Sequence, residues 1–248
     1  MTTCPDHFNR IHLAACESTS DYLKQNIARF EADFPLMVSA AVQSAGRGRE
    51  NRGWSSPENL GIYATFAFLL PDNRALSLLA LAAGVAVIGM LESWAGGSFA
   101  LKWPNDVLVA GGKIAGILCE TVVKGERIVC LAGIGINVNQ RREDFPPELR
   151  ERAASLRLQT GREWPVAEGR ERLAKDMAFW LQKLTPERGS EIVGRARELS
   201  GSFLGQAISF HHQGRVLRGI FLDIADDGGL LLGLPGAEKK IFYSGELG

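Results

Sequence analysis

The chain has 248 residues, enough for one large domain with a small second one, and its 28 basic residues balance 28 acidic ones. Balanced charge supplies no global field for holding nucleic acid, so any anion site must be local. The cysteines (Cys4, Cys16, Cys119, Cys130) form no C-x-x-C pair, the histidines (His7, His12, His211, His212) have no zinc spacing with them, and no basic-then-apolar leader opens the chain; a cytoplasmic protein with reduced thiols is expected.

Residues 11 to 16 read as a short strand, and Ser18 to Asp21 form an S-x-x-D box that opens a helix running to Phe30. A strand over Met37 to Val42 leads into a basic loop, "GRGRENRGWSSP", and a strand over Ile62 to Leu70 leads away from it. Ala75 to Leu91 carries no charge and lies at the short limit for spanning a membrane. Rich in alanine and glycine and preceded by Pro71, Asp72 and Asn73 as helix-start residues, it is expected as a buried helix packed on a sheet. Strands near 99–102, 107–110, 114–123 and 127–138 are separated by Pro-Asn-Asp, Gly-Gly and Lys-Gly-Glu turns, which favours antiparallel pairing and an α+β layout.

Val166, Leu173, Met177, Trp180, Leu181 and Leu184 recur at helical spacing as a core stripe, and Thr185 and Pro186 are expected to start a further helix ending near Leu199. The tail changes character: "QAISFHH", "RVLRGIFLDI", "GLLLGL" and "KKIFYSGEL" read as four short strands of a small β-barrel module. Residues 1–198 and 199–248 are therefore the two expected domains.

Polar or cationic clusters fall at the ends of these strands: the basic loop, "KWPND" at 102–106, "GGKIAG" at 111–116 and "GIGINVN" at 133–139. Gly46 and Gly48 let main-chain amides approach a ligand, while Arg47, Arg49 and Arg52 supply forks that match phosphate or carboxylate oxygens. The loop is no dinucleotide fingerprint, because no third glycine and helix follow, and no Gly-Lys-Ser/Thr marks a P-loop. Together the clusters describe a site with several cations, glycine-lined walls and one exposed indole, Trp54.

"STS" at 18–20, "GRGRENRGWSSP", "KWPNDVLV", "GGKIAGILCET" and "GIGINVN" resemble, in order and spacing, the bacterial biotin protein ligases, and the tail resembles their C-terminal SH3-like module. The resemblance runs from about residue 10 to the end. It implies a mixed or antiparallel sheet with packed helices, of the class II aminoacyl-tRNA synthetase-like type, plus an SH3-like barrel. It also implies an enzyme that joins biotin to ATP, giving biotinyl-5'-adenylate and pyrophosphate, and then passes the biotinyl group to a lysine of a biotin carboxyl carrier domain.

By the same resemblance, Ser18, Thr19, Ser20 and Gln43 would serve the ureido and thioether end of biotin, with Gly46, Gly48 and Gly116 nearby and Gly133 and Gly135 leaving room for the rings. Lys113, Arg47 and Arg49 would offset negative charge where the biotin carboxylate meets the α-phosphate, together with a magnesium ion. Trp54 would lie against the adenine and Asn137 would bond its edge, with Arg49, Arg52, Asn105 and Lys113 also on the ATP side. Asp106 would contact the metal or the incoming lysine, and Asn105 and Lys102 would support that turn. Two positions depart from the family pattern: Ser20 stands where asparagine is usual, and Asn51 where glycine is common.

Lipoate or octanoate ligation on the same scaffold is the rival enzyme reading, which the G-R-G-R loop with "KWPND" disfavours. Relatives that also repress transcription carry an N-terminal helix-turn-helix domain. Here the first strand is expected by residue 11, so a monofunctional ligase is expected, with a carrier protein as partner, no nucleic acid, no membrane, and a homodimer left open.

Overall fold

The computed structural model describes residues 7–30, 33–70, 73–125 and 127–248; Cys4, Pro71 and Asp72 lie outside the described residues. Strand β1 (Asn9–Cys16), helix α1 (Thr19–Phe30) and strand β2 (Leu36–Gln43) form a crossover unit, which makes β1 and β2 parallel. Strands β3 (Gly61–Leu69), β4 (Ala100–Lys102), β5 (Asp106–Val109), β6 (Gly112–Lys124) and β7 (Arg127–Asn137) complete a seven-stranded sheet in the order β1-β2-β3-β7-β6-β5-β4. Every pairing beyond β1–β2 is antiparallel, as the short turns predict for β4 to β7; β2–β3 and β3–β7 are antiparallel without such a turn.

The two sheet faces have different covers. Helices α2 (Leu79–Ala95), α4 (Val166–Leu181) and α5 (Gly189–Leu199) pack together on one face, with Trp94 and Trp164 edge to face at 5.2 Å. On the other face α1 lays Leu23, Ile27 and Phe30 over Leu36, Val38, Ala67, Val129 and Leu131. Because side chains alternate along a strand, Gly133 and Gly135 of β7 share that second face with Val129 and Leu131. Beyond the N-terminal end of α1, then, the sheet surface becomes glycine-lined, and this is where the site forms.

Several sequence expectations shift. The apolar helix runs over Leu79–Ala95 after a 3-10 turn at Asn73–Leu78, because the loss of apolar character at Glu92 is a change of environment and only Gly96 (φ 69°) ends the helix. Leu76–Ala95 is long and apolar enough to cross a membrane, and 67% of that window is buried in the fold. Helix α5 starts at Gly189 rather than at Thr185, and a short helix α3 (Leu156–Thr160), capped by Ser155, was not anticipated. The tail has five strands in place of four: β8 (Ala207–His212), β9 (Arg215–Ile224), β10 (Leu230–Gly233), β11 (Lys239–Phe242) and β12 (Glu246–Leu247). They form an antiparallel sheet in the order β11-β10-β9-β8-β12, since the chain turns at Ser244-Gly245 and sends "EL" back onto β8.

Candidate active site

At the N-terminal end of α1 the Asp21 amide donates to Ser18 Oγ at 3.4 Å, the capping contact expected of the S-x-x-D box. The three residues Ser18, Thr19 and Ser20 are all buried. Thr19 donates to Gln43 Oε1 from its backbone N–H at 2.9 Å and its hydroxyl at 3.1 Å, and Gln43 Nε2 donates to Ser56 Oγ at 2.9 Å. Thr65 Oγ1, wholly buried on β3, lies 2.9 Å from Thr19 Oγ1 and 3.0 Å from Ser20 Oγ. Three of the sequence-selected residues, Thr19, Ser20 and Gln43, thus meet in one hydroxyl and amide cluster, which Thr65 and Ser56 complete, while Ser18 caps α1 beside it. Thr65 carried a signal: a lone polar side chain in the apolar strand "GIYATFAFL".

The basic loop joins β2 to β3 and folds back on itself, with Arg47 bridged to Gly53, the Gly48 amide donating to Arg52 O at 2.7 Å, and the Trp54 amide donating to Gly46 O at 2.8 Å. A Cβ at Gly46 would lie 2.5 Å from Trp54 O, so no side chain fits there. The positive φ of the turn falls on Glu50 (55°), next to Asn51. The three arginines diverge. Arg47 Nη2 contacts Asp21 Oδ1 at 2.6 Å and Glu120 Oε2 at 3.3 Å, and Lys24 holds the other Glu120 oxygen at 2.5 Å. Arg49 donates to Asn105 Oδ1 at 3.1 Å and Gly245 O at 2.8 Å, while Arg52 grips both oxygens of Glu246 at 3.0 and 2.7 Å.

Trp54 lies on the glycine floor. A Cβ at Gly135 would come within 2.3 Å of its indole and one at Gly116 within 3.0 Å, while Ser20 Oγ would be 2.9 Å from a Cβ at Gly133. Gly116 and Gly135 are register partners, as are Gly133 and Thr65, so floor and hydroxyl cluster share one sheet face. The ammonium of Lys113 sits 5.5 Å from the indole centroid and 2.7 Å from Asp106 Oδ1. A bulge between Val107 and Leu108 makes this meeting possible. It pairs Leu108 with Lys113 and so turns Lys113 onto the face of Asp106 and Gly116; regular pairing would aim it at the opposite face.

The remaining expected residues frame the site. Asn105 Nδ2 donates to Ile117 O at 2.8 Å, which ties the Pro-Asn-Asp turn to β6, and half-buried Lys102 is the register partner of Asp106. Asn137 is buried, with Nδ2 donating to Ala154 O at 3.0 Å and Lys113 O at 3.4 Å and Oδ1 accepting from Gln140. It thereby holds the Lys113 backbone beside the segment that leads into α3. Sequence reasoning missed Gly245 and Glu246, which bring β12 of the tail to the loop. Burial works to raise the Glu246 pKa, but the hydrogen bonds and charge of Arg52, with Arg49 and Lys113 adding to them, prevail and lower it.

Among the described residues no group of three or more His, Cys, Asp or Glu is placed to hold a metal ion. Asp106 offers one carboxylate, the donor set that suits a magnesium ion carried largely by nucleotide phosphates.

Residues 13–139 match the biotin/lipoate A/B protein ligase family, and residues 203–247 match the biotin protein ligase C-terminal domain. The chain belongs to this ligase family. It is 36% identical to the bifunctional ligase/repressor BirA of Bacillus spizizenii over 91% of this chain and 70% of that protein. With the biotin–[acetyl-CoA-carboxylase] ligase of Paracoccus denitrificans the identity is 32%, over 84% of this chain and 90% of the relative. The crystallised biotin protein ligase of Aquifex aeolicus in complex with biotin and ATP superposes with a TM-score of 0.82 at 31% identity, covering 97% of both chains. The ligase family thus accounts for both sheets.

Proposed function

We propose that the glycine-floored face beneath Trp54 makes biotinyl-5'-adenylate from biotin and ATP and that the chain transfers the biotinyl group to a lysine of its carrier partner. The protein is an ATP-dependent biotin protein ligase, and its partner is a biotin carboxyl carrier domain. The observation that carries the site assignment is the placement of Lys113, beside Asp106 and Trp54, on the same sheet face as the Thr19, Ser20 and Thr65 hydroxyls. A small, polar-tipped, mostly apolar acid fits such a surface, with its head among the hydroxyls and its carboxylate toward the ammonium.

In the first step a carboxylate oxygen attacks the α-phosphorus and the bond to pyrophosphate breaks. Both partners are anionic, so the work of the protein is alignment and fixed positive charge. Lys113, steadied by Asp106, supplies charge where the carboxylate and phosphate meet. Magnesium, when bound with the nucleotide, neutralises triphosphate charge, and Asp106 would be its protein ligand. Trp54 and the folded loop exclude water from the mixed anhydride. In the second step the carrier lysine nitrogen attacks the acyl carbon, the acyl–oxygen bond breaks, AMP leaves and the amine loses a proton; Asp106 orients the incoming group.

We also place the boundary between the ligase part and the module near residue 199, because α5 ends at Leu199 and β8 begins at Ala207. The test of the substrate is pyrophosphate release with ATP, magnesium and one acid at a time. Biotin is expected to react at least about tenfold faster than lipoate or octanoate, because a site built to bond polar groups rejects acids that lack them. Equal rates, or faster reaction with lipoate, would overturn the assignment.

A further inference from the structure

Two of the three loop arginines end on one dipeptide at the entry to the C-terminal strand, Gly245-Glu246, about two hundred residues away in sequence. We propose that Glu246 is a positioning residue that seats the arginine loop over the adenylate, so that loop closure depends on the C-terminal module. The proposal rests on the reading of the loop as the cover of biotinyl-adenylate.

The seat is fixed by its own packing. Glu246 and Leu247 pair with His211 and Phe210 of β8, and Leu247 is buried in the core. Gly245 has φ 139°, and a Cβ there would lie 2.3 Å from the Phe210 ring, so only glycine lets the chain pass this close and aim its carbonyl at Arg49. The module is in turn held against the larger sheet: Trp103 Nε1 donates to Gly228 O at 3.0 Å, and Gly228 lies so close to Leu78 that a Cβ would be 2.8 Å from it. Arg197 adds contacts to Asp223 at 3.0 Å and Asp226 at 2.9 Å. The seat therefore has one position relative to the catalytic sheet, and the loop takes its position from that seat.

Each loop arginine has a distinct part. Arg49 bridges the module to the Pro-Asn-Asp turn, since the same nitrogen donates to Gly245 O and to Asn105 Oδ1. Arg52 makes the two-point contact whose geometry a neutral or shorter partner cannot match. Its side chain is 55% exposed and that of Glu246 29%, so the pair adds little to global stability. Its effect falls on the loop, where a few hydrogen bonds decide the open fraction.

The test uses the full-length chain and the variants Glu246→Gln, Arg52→Gln and the double variant. Trypsin cleavage after Arg47 and Arg49, two bonds present in the parent and in every variant, is followed without ligand, and release of adenylate, formed from biotin, ATP and magnesium and freed of excess reactants, is followed by chromatography. Each single variant is expected to speed loop cleavage and adenylate release by about threefold to tenfold, the scale of a partly exposed two-point pair. The double variant should be no faster than the faster single one, because one contact is lost in all three. Loop cleavage in Glu246→Gln at the parent rate, or additive effects of the two changes on release, would overturn the proposal. A parent chain that forms no adenylate would instead overturn the functional reading, and the cleavage comparison would still decide the role of Glu246.

Discussion

Lys113 Nζ lies 2.7 Å from Asp106 Oδ1, across a hairpin whose one-residue bulge turns both side chains to the same face. Asp106→Asn keeps the shape but removes the anion that steadies the ammonium. Both half-reactions should slow by about tenfold or more, the scale of a charged contact at a reacting centre. A variant that folds and matches the parent in both would show the contact to be structural.

Gly135 sets how closely Trp54 approaches the sheet. In Gly135→Ala the new methyl would be 2.3 Å from the indole, so the ring must move. Overpacking of this kind costs about 1–3 kcal/mol. Calorimetry should therefore show biotin affinity reduced by roughly tenfold or more, with the variant still folded; unchanged affinity would mean that the Trp54 position is unimportant for binding.

Thr65 shares its hydroxyl with Thr19 and Ser20. Thr65→Val preserves the volume and leaves both partners without that bond. A lost hydrogen bond of this type is worth about 1 kcal/mol, so biotin should bind roughly fivefold more weakly while the ATP KM stays within twofold. If the ATP KM rises and biotin affinity does not, the hydroxyl cluster serves the nucleotide.

The Glu246 carboxyl has its pKa lowered, against the effect of burial, by Arg52. The contact therefore contributes fully above the ordinary glutamate range and is lost only as pH falls through the depressed value. A nuclear magnetic resonance titration should find Glu246 below the ordinary range and moved upward in Arg52→Gln. A Glu246 that titrates identically in both proteins would remove the electrostatic basis of the pairing.

The central strands and helix stripes were legible because their periodicity reports burial, and the S-x-x-D box placed α1 within one residue. The hydroxyl cluster was half legible: Thr19, Ser20 and Gln43 sit in the stretches that the sequence singles out, whereas Thr65 is defined only by the strand register that brings it to them. The divergence of the arginines was not legible. Arg47, Arg49 and Arg52 look alike in sequence, and their separate partners Asp21, Asn105 and Glu246 come from three distant segments. Lys113 was identified by its motif, but its facing depends on a bulge that no local pattern announces. The fifth tail strand was missed because a two-residue strand has no period to detect.

The most direct measurement is single-turnover adenylate formation by Lys113→Ala, with Lys102→Ala beside it. Lys113 pairs with Asp106 beside Trp54 on the site surface, whereas Lys102, across the strand pair from Asp106, meets the Pro-Asn-Asp turn through its backbone carbonyl, which accepts from the Asn105 amide at 3.2 Å. Loss of a group that stabilises developing charge costs about 10² to 10³ in rate. Lys113→Ala should slow biotinyl-adenylate formation by that factor, with transfer from pre-made adenylate falling less, and Lys102→Ala should disturb transfer and stability at least as much as adenylation. Adenylation by Lys113→Ala within about threefold of the parent would contradict the account, since no transition-state charge would then depend on it.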